Sequence, residues 1–411
     1  MRRLMPCLLS SLAFAAFTVV AAGAGAAGPK AYVGNFSDNT VSVVDLAAGA
    51  VVATIPVSAG PHGMVAAPDG RTVYMTGDGS SNLDAIDTAA DRVKKTVDIG
   101  KSPHGLAISP DGRTLLAAVY GEDKIVFMDT ATLAPVGSVT VPKPHTIAIR
   151  PDGAVAYVAS QEPGKFALVV VDLASKQVAR SVPLEKTPRD LEFGFDGKAL
   201  YFTQAGVNSV QVLDPATDRI VAQIPTGASP HIAGVYRGAP AGTAVVQGPG
   251  ELLLFDPATN APLRTIAVGK QPHWIAVVSG GARAIVTNEG SNDVAIVDLA
   301  TGETRKIAVG KAPRKVAVQP VAAATSAVPA SISIANFVFS PLELMVAQGT
   351  RVTWTNNDAA PHGLSHKDGA PGTGVLLPGE TVSRVYDAPG TYDYVCAVHP
   401  YMTGRVVVSA R

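Results

Sequence analysis

The sequence predicts an all-β protein in which a seven-bladed propeller is followed by a small β-sandwich. Three observations support this fold class: a repeat of about 42 residues between positions 30 and 320, alternating apolar residues and turn motifs inside each repeat unit, and a separate β-rich segment over 331–411. A chain of 411 residues is also longer than one core usually serves, so we expect at least two domains.

The first 27 residues have the features of an export signal. Arg2 and Arg3 precede an apolar run, which ends in small residues with two A-x-A cleavage patterns, Ala22–Ala24 and Ala24–Ala26. We therefore expect a periplasmic or secreted bacterial protein after cleavage. No later stretch approaches the roughly eighteen uninterrupted apolar residues of a membrane helix, so a protein integral to the membrane is not expected.

The charge balance argues against nucleic acid as a partner. Cleavage of the predicted signal would remove two arginines from 33 basic residues and leave 31 against 33 acidic residues, a formal charge near minus two. A protein that binds the phosphate backbone normally carries a clear basic excess.

Two landmarks set the register of the repeat. The first is an aspartate that ends an apolar strand, at spacings of 42, 42, 43, 42, 42 and 42 residues: Asp45, Asp87, Asp129, Asp172, Asp214, Asp256 and Asp298. The second is a proline followed by histidine or arginine: Pro61, Pro103, Pro144, Pro188, Pro230, Pro272 and Pro313. Each unit has room for about four short strands, as in a propeller blade. Because the first aspartate precedes the first proline, we expect residues 30–57 to complete the blade that begins at Pro313 and to close the ring.

The segment 285–298, IVTNEGSNDVAIVD, resembles the YVTN family of β-propellers, and the likeness extends over most of residues 28–320. This resemblance implies a seven-bladed propeller. It implies no particular chemistry, because propellers serve as enzymes, scaffolds and docking platforms. Residues 321–330 carry no charge and no strong apolar pattern, so they are predicted to be a linker.

The residues that follow the proline landmarks should surround one mouth of the propeller channel, if each proline begins an innermost strand. They are His62, His104, His145, Arg189, His231, His273 and Arg314. Two or three imidazoles could bind a second metal, copper or zinc. The arginines and several nearby lysines would instead favour a small anion or an acidic partner surface. Duplication of one ancestral Pro-His blade would also produce the ring without any function, and the three interpretations stay open.

Cys396 is the only cysteine outside the predicted signal, since Cys7 lies within it. A solitary cysteine in an exported protein is either a free thiol or a metal ligand. Cys396, His399 and Met402 follow one another at three-residue intervals in a predicted loop between strands, and His362 offers an upstream imidazole. Two histidines, a cysteine and a methionine are the ligand set of blue-copper sites.

The segments Val352–Trp354, Pro361–His362, Gly390–Tyr394 and the loop from Cys396 to Met402 resemble amicyanin, of the plastocyanin and azurin group, and the likeness covers residues 331–411. It implies a cupredoxin domain that holds one type 1 copper ion.

Carried over residue by residue, the likeness makes His362, Cys396 and His399 the strong copper ligands and Met402 the weak axial ligand. It further implies that a redox protein, donor or acceptor, docks near His399.

The resemblance also suggests which residues surround the exposed histidine. Pro361, Pro400 and Tyr401 are expected in an apolar docking patch. His366 has no counterpart in the motif and is expected to be a solvated loop residue.

Together these expectations predict that the protein is a periplasmic one-electron carrier, in which the propeller is a docking or ligand platform. Two alternatives remain: a copper oxidoreductase with a second metal or an anionic substrate at the propeller mouth, and a metal-binding chaperone. The sequence contains no Cys-x-x-Cys-His motif and no glycine-rich phosphate loop, so it assigns no catalytic residue.

Overall fold

The computed structural model describes residues 29–278, 280–320, 330–369, 372–386 and 388–409. The predicted export signal and all but the last residue of the predicted linker lie outside the described residues. The chain divides between Pro320 and Val321 into two compact units. No helix in the described ranges is long and apolar enough to cross a membrane.

The first unit consists, within the described residues, of seven four-stranded antiparallel sheets and one short 3-10 helix at Tyr120–Glu122. Its strands are β1 (Lys30–Asn35), β2 (Thr40–Asp45), β3 (Ala50–Pro56), β4 (Pro61–Ala66), β5 (Thr72–Gly77), β6 (Asn82–Asp87), β7 (Arg92–Asp98), β8 (Pro103–Ile108), β9 (Thr114–Val119), β10 (Lys124–Asp129), β11 (Pro135–Thr140), β12 (Pro144–Ile149), β13 (Val155–Ser160), β14 (Ala167–Asp172), β15 (Gln177–Pro183), β16 (Pro188–Phe193), β17 (Leu200–Gln204), β18 (Ser209–Asp214), β19 (Arg219–Pro225), β20 (Pro230–Gly234), β21 (Gly242–Val246), β22 (Glu251–Phe255), β23 (Pro262–Ala267), β24 (Pro272–Val277), β25 (Arg283–Asn288), β26 (Asp293–Asp298), β27 (Thr304–Ala308) and β28 (Pro313–Val318).

Six of these sheets contain four consecutive strands, and the seventh joins the two ends of the unit in the order β28-β1-β2-β3. Strand β1 pairs antiparallel with β28, where Tyr32 lies opposite Ala317. The predicted ring closure is therefore confirmed. The pairing covers two strand edges that would otherwise be exposed.

Burial within each blade explains why the repeat folds this way. The middle strands are enclosed by the neighbouring blades, so β5 is buried along its whole length, whereas the outermost strand β7 is largely exposed. The core lies between blades; for example, Leu116 and Phe127 of one blade pack with Val158 of the next. β-branched and aromatic residues suit such pleated, enclosed surfaces.

The two sequence landmarks have distinct structural roles. Each proline begins the strand nearest the channel, because β4, β8, β12, β16, β20, β24 and β28 contact one another in a closed ring. Each aspartate caps the turn that follows its strand. Asp45 is typical, since its Oδ1 accepts hydrogen bonds from the backbone N–H groups of Ala47 and Ala48 at 2.8 and 2.9 Å.

The second unit is a β-sandwich, as predicted. Its strands are β29 (Ala330–Ala335), β30 (Val338–Ser340), β31 (Glu343–Ala347), β32 (Thr350–Asn356), β33 (Leu364–His366), β34 (Thr381–Tyr386), β35 (Gly390–Cys396) and β36 (Thr403–Ser409). They form two sheets, β30-β29-β32-β34 and β31-β36-β35-β33. Phe339, Trp354 and Tyr394 fill the core between the sheets, and this core also contains Cys396 and Met402.

Candidate metal centre

The local fold of the second unit brings three predicted ligands together and places the fourth, Met402, in the same loop and core. Cys396 is the last residue of β35, and His399 and Met402 lie in the loop that leads to β36. The loop is closed by two backbone hydrogen bonds: the N–H of Cys396 donates to the carbonyl of Met402 at 3.0 Å, and the N–H of Met402 donates to the carbonyl of His399 at 3.0 Å. His362 precedes β33 and pairs with Leu376 in an isolated bridge.

Three of these side chains form a nearly equilateral triangle of donor atoms. Cys396 Sγ lies 3.5 Å from His362 Nδ1 and 3.8 Å from His399 Nδ1, and the two nitrogens are 3.4 Å apart. The centre of such a triangle is about 2.1 Å from each corner, close to the metal–nitrogen and metal–sulfur bond lengths of about 2.0–2.3 Å. In the described part of the chain, no other group of three His, Cys, Asp or Glu residues has all its ligand atoms within 4.8 Å of one another.

Asp358 orients one of the two imidazoles. Its Oδ2 lies 2.9 Å from His362 Nε2, so this ring nitrogen donates to the carboxylate and leaves the Nδ1 lone pair directed at Cys396. Hydrogen bonds from the backbone N–H groups of Phe337 and Asn336 lower the pKa of Asp358 and keep it ionised, against the opposing effect of burial. The ligand triangle is therefore held by the protein itself.

The four predicted ligands differ in their access to solvent. His362 and Cys396 are fully buried and Met402 is 3% exposed, whereas His399 is only half-buried. Around His399 lie the ring of Phe337, with its centroid 5.0 Å away, and the ring of Tyr401, 6.0 Å away. Tyr401 is 71% exposed and Phe337 is 41% exposed.

The apolar patch near His399 is thus made partly of residues that the sequence analysis did not name. Pro361, Pro400 and Tyr401 are exposed, as expected for a patch. Phe337 was missed because it reaches the histidine from the turn between β29 and β30, about sixty residues earlier in the chain. Asp358 was missed as well, although its position four residues before His362 was a usable signal.

The expectation for His366 was wrong. It lies at the end of β33 and is half-buried, with its ring centroid 6.2 Å from those of both Trp354 and Tyr394. Burial lowers the pKa of this imidazole, and the nearby Arg384 lowers it further. The alternation of β33 places this side chain against the core instead of in a loop.

The propeller unit brings the predicted ring together at one mouth of its channel. A cavity of about 680 Å³ is lined by His62, His104, His145, Arg189, His231, His273 and Arg314, together with several amide side chains. The imidazoles are stacked in two rows. Ring centroids lie 3.7 Å apart for His62 and His104, 3.9 Å for His104 and His145, and 4.0 Å for His231 and His273.

Most of these imidazoles are neutral because of their surroundings. Burial lowers the pKa of His62, His104 and His273 well below the usual value, and neighbouring histidines lower it further. Burial likewise lowers the pKa of His145 to about 4, although Asp190 opposes the shift.

The two arginines of the ring have different partners. Arg314 Nε donates to Glu289 Oε1 at 3.0 Å. Arg189 donates to the Ser229 hydroxyl at 3.0 Å, and no carboxylate within residues 29–278 and 280–320 forms an ion pair with it.

Two buried ionisable residues close to the ring, Asp190 and Lys315, and the half-buried Glu192 were not anticipated. Asp190 Oδ2 lies 2.8 Å from His231 Nδ1, and Asp190 Oδ1 lies 3.8 Å from the Lys315 ammonium. Burial lowers the pKa of Lys315 to about 8, despite the opposing charges of Asp190 and Glu192, and burial raises the pKa of Glu192 to about 7. A signal existed in the sequence: Asp190 and Lys315 follow Arg189 and Arg314, in the two blades whose landmark is followed by arginine.

A two-sheet sandwich that gathers a cysteine and two histidines, with a methionine in the same loop, defines a cupredoxin domain, here on the same chain as a seven-bladed propeller. The Cupredoxin-like domain model matches residues 315–408. Amicyanin-alpha of Methylorubrum extorquens is 42% identical over 83 residues, which are 19% of this chain and 69% of that protein. Amicyanin of Paracoccus denitrificans is 38% identical over 82 residues, 19% of this chain and 63% of that protein. Through its C-terminal unit, the chain belongs to the amicyanin family.

The propeller is similar to domains of a different kind. The Cytochrome D1 heme domain model matches residues 33–146. A Kuenenia stuttgartiensis hydrazine synthase structure superposes with a TM-score of 0.60 at 20% identity, over 66% of this chain and 92% of that chain. A structure of dihydro-heme d1 dehydrogenase NirN in complex with DHE superposes with a TM-score of 0.55 at 17% identity, over 70% and 74% of the two chains. At these identities the likeness shows the fold alone.

Proposed function

We propose that the protein is a periplasmic one-electron carrier that uses a single copper ion in its cupredoxin unit, with the propeller as a docking or ligand platform. The observation that carries this proposal is the triangle of Cys396 Sγ, His362 Nδ1 and His399 Nδ1, with sides of 3.4–3.8 Å. The likeness to amicyanins supports it.

The donor set suits copper better than zinc. Copper supplies a couple between two oxidation states that differ by one electron; a thiolate and a thioether favour the reduced ion, and imidazoles serve both. His362, Cys396 and His399 would be the strong ligands, with Met402 as the weak axial ligand. Hydrogen bonds fix this set, since Asp358 holds the His362 ring and the backbone N–H of His399 donates to Cys396 Sγ at 3.3 Å. A fixed ligand set lowers the rearrangement that accompanies a change of oxidation state.

The half-buried ligand His399 offers the shortest route from the site to a redox partner. The apolar side chains of Phe337, Val398 and Tyr401 lie exposed nearby in space or sequence, and they would exclude water from a docked interface. A partner protein that contacts this patch would come within van der Waals reach of the imidazole.

A second candidate is a copper oxidoreductase whose propeller holds a substrate or a second metal. The observation in its favour is the cavity of about 680 Å³ lined by five imidazoles and two guanidinium groups. The same cavity would also suit a metal-binding chaperone, which would carry its metal ion there. Removal of the ring histidines should leave electron exchange intact in a carrier, but should abolish turnover in an oxidoreductase and lower metal stoichiometry in a chaperone.

The first experiment is a comparison of copper content and visible and EPR spectra between the full mature protein and a Cys396→Ser variant. We expect an intense blue-copper band that disappears in the variant, because serine cannot supply the sulfur ligand. The matched control is His366→Gln, which removes a histidine of the same unit that is outside the triangle and should keep the band. A band that survives Cys396→Ser would refute the assignment.

Two further measurements test the periplasmic location and the docking patch near His399. Cell fractionation with N-terminal sequencing of the mature protein should find it in the periplasm, beginning near residue 28. Stopped-flow oxidation by a protein acceptor should slow in Tyr401→Ser, while oxidation by small inorganic ferricyanide should change much less. Equal slowing with both oxidants would argue against a docking patch.

A further inference from the structure

Two imidazoles at the propeller mouth, His104 and His145, have one ring nitrogen held by a backbone carbonyl. His104 Nδ1 lies 3.1 Å from the backbone carbonyl of His145, and His145 Nδ1 lies 3.1 Å from that of Arg189. His231 Nδ1 lies 2.8 Å from Asp190 Oδ2, within ion-pair distance but without hydrogen-bond geometry. A carbonyl oxygen only accepts, so the ring proton of His104 and of His145 resides on Nδ1. The lone pair is then on Nε2, which has no hydrogen-bond partner among the described residues.

Among the described residues, three imidazoles carry a buried Nδ1 without a hydrogen-bond partner: His62, His231 and His273. Neither His62 Nδ1 nor His273 Nδ1 has a hydrogen bond within the described ranges, although both side chains are more than nine-tenths buried. Their rings are 5.9 Å apart and nearly perpendicular, at 79°. A buried polar atom without a partner is costly, and both residues line the cavity. This is an independent indication that the cavity holds a ligand.

The kind of ligand follows from donors and acceptors. Buried neutral imidazoles with Nδ1–H already engaged present lone pairs, and lone pairs repel anions but bind protons and metal cations. An anion would have Arg189 as its main donor, since Arg314 is paired with Glu289. Histidines whose second nitrogen is held by a carbonyl or carboxylate are typical of metal ligands. The exposed lone pairs and the single unpaired guanidinium that the described residues place in this cavity therefore favour a cation over an anion.

We propose that the mouth of the propeller binds a copper or zinc ion through imidazole nitrogens of His62, His104, His145, His231 and His273. This site lies in the propeller unit and is separate from the proposed copper site of the cupredoxin.

The rings are stacked, not convergent. In the part of the propeller that the structure describes, no three histidine, cysteine or carboxylate ligand atoms lie within 4.8 Å of one another. Coordination at about 2.0–2.1 Å therefore requires two or three rings to rotate into the cavity, which at about 680 Å³ has the space. The cationic Arg189 opposes metal entry, whereas Glu289 and Asp190 favour it.

The experiment uses the full mature chain with Cys396→Ser, His362→Gln and His399→Gln, so that the cupredoxin ligands do not contribute. Zinc sulfate and copper(II) chloride are titrated by calorimetry, and bound metal is counted by elemental analysis after gel filtration. We expect at least one tightly bound ion per chain and nitrogen hyperfine coupling in the copper EPR spectrum. His104→Gln with His145→Gln should weaken binding at least tenfold. The matched control, Ser229→Ala, changes a cavity residue that has no imidazole and should bind normally.

Arg189→Gln distinguishes a cation site from an anion site, because loss of the positive charge should have opposite effects on ligand affinity in the two cases. Removal of this charge should leave metal affinity unchanged or raise it. If inorganic phosphate binds instead, and binding is lost in Arg189→Gln, the proposal is overturned. It is equally overturned if no metal is retained, if the double histidine variant binds as tightly as its parent, or if a heme co-purifies with the chain and is released by His62→Gln.

Discussion

The propeller should lose stability in acid because of its neutral, enclosed histidines, and His145 allows the effect to be calculated. Its pKa is about 4 in the folded protein, against about 6.5 in an unfolded chain. As the pH falls through 6.5, the His145 imidazole is protonated in the unfolded chain. In the folded propeller the same imidazole stays neutral until about pH 4. The unfolded state is therefore stabilised over this range, and the free energy of unfolding falls.

Between about pH 7.5 and pH 5 the calculated loss for this one residue is up to about 2 kcal/mol. Glu192 acts in the opposite direction, because burial raises its pKa to about 7 and the folded state then binds the extra proton. Its calculated contribution is also about 2 kcal/mol over the same range. The pH dependence of the parent protein alone therefore cannot isolate either residue, and a variant is needed.

The assay compares the parent with His145→Gln, both metal-free in chelator and both carrying Trp354→Phe. The chain has two tryptophans, so Trp274 in the propeller becomes the only one and its fluorescence reports urea unfolding of that unit. The difference in unfolding free energy between the two proteins should shift by up to about 2 kcal/mol from pH 7.5 to pH 5 in favour of the variant. Ser229→Ala, with no change in titrating groups, should show no such shift.

A shift below about 0.5 kcal/mol, or one that favours the parent in acid, would refute the reasoning, since 0.5 kcal/mol corresponds to less than half a pKa unit. It would mean that the His145 imidazole accepts a proton in the folded propeller about as readily as in water.

Three other changes test separate parts of the molecule. Asp358→Ala removes the acceptor that orients His362 and should weaken copper binding about 10- to 100-fold, measured by competition with a copper chelator; unchanged affinity would show that the ring needs no such support. Trp354→Ala empties the centre of the sandwich core and should cost about 3–5 kcal/mol in chemical unfolding of the cupredoxin, whereas a loss under 1 kcal/mol would contradict its tight packing. Lys315→Met leaves the Asp190 carboxylate with one cation fewer and should cost about 3 kcal/mol; adding Asp190→Asn should recover part of this loss, and a purely additive double variant would exclude coupling.

The architecture could be predicted from the sequence because its signals are local. Asp45 and its six equivalents cap the turn directly after their own strand, so their spacing reproduces the blade period. The order of the two landmarks was enough to predict that β1 pairs with β28. Cys396, His399 and Met402 lie within one short loop, and their arrangement depends mainly on the backbone of that loop.

The features that could not be predicted from the sequence depend on contacts between distant parts of the chain and on the exclusion of water. Asp358 and Phe337 come from different turns to contact His362 and His399. The burial of His366 against Trp354 follows from the face of β33 that meets the core. Spacing placed five histidines in a ring, but only the folded channel showed that the Nδ1 atoms of His104 and His145 are held by backbone carbonyls. The pKa of an imidazole depends on how much water and charge surround it, and that is set by the seven blades together and by no single repeat.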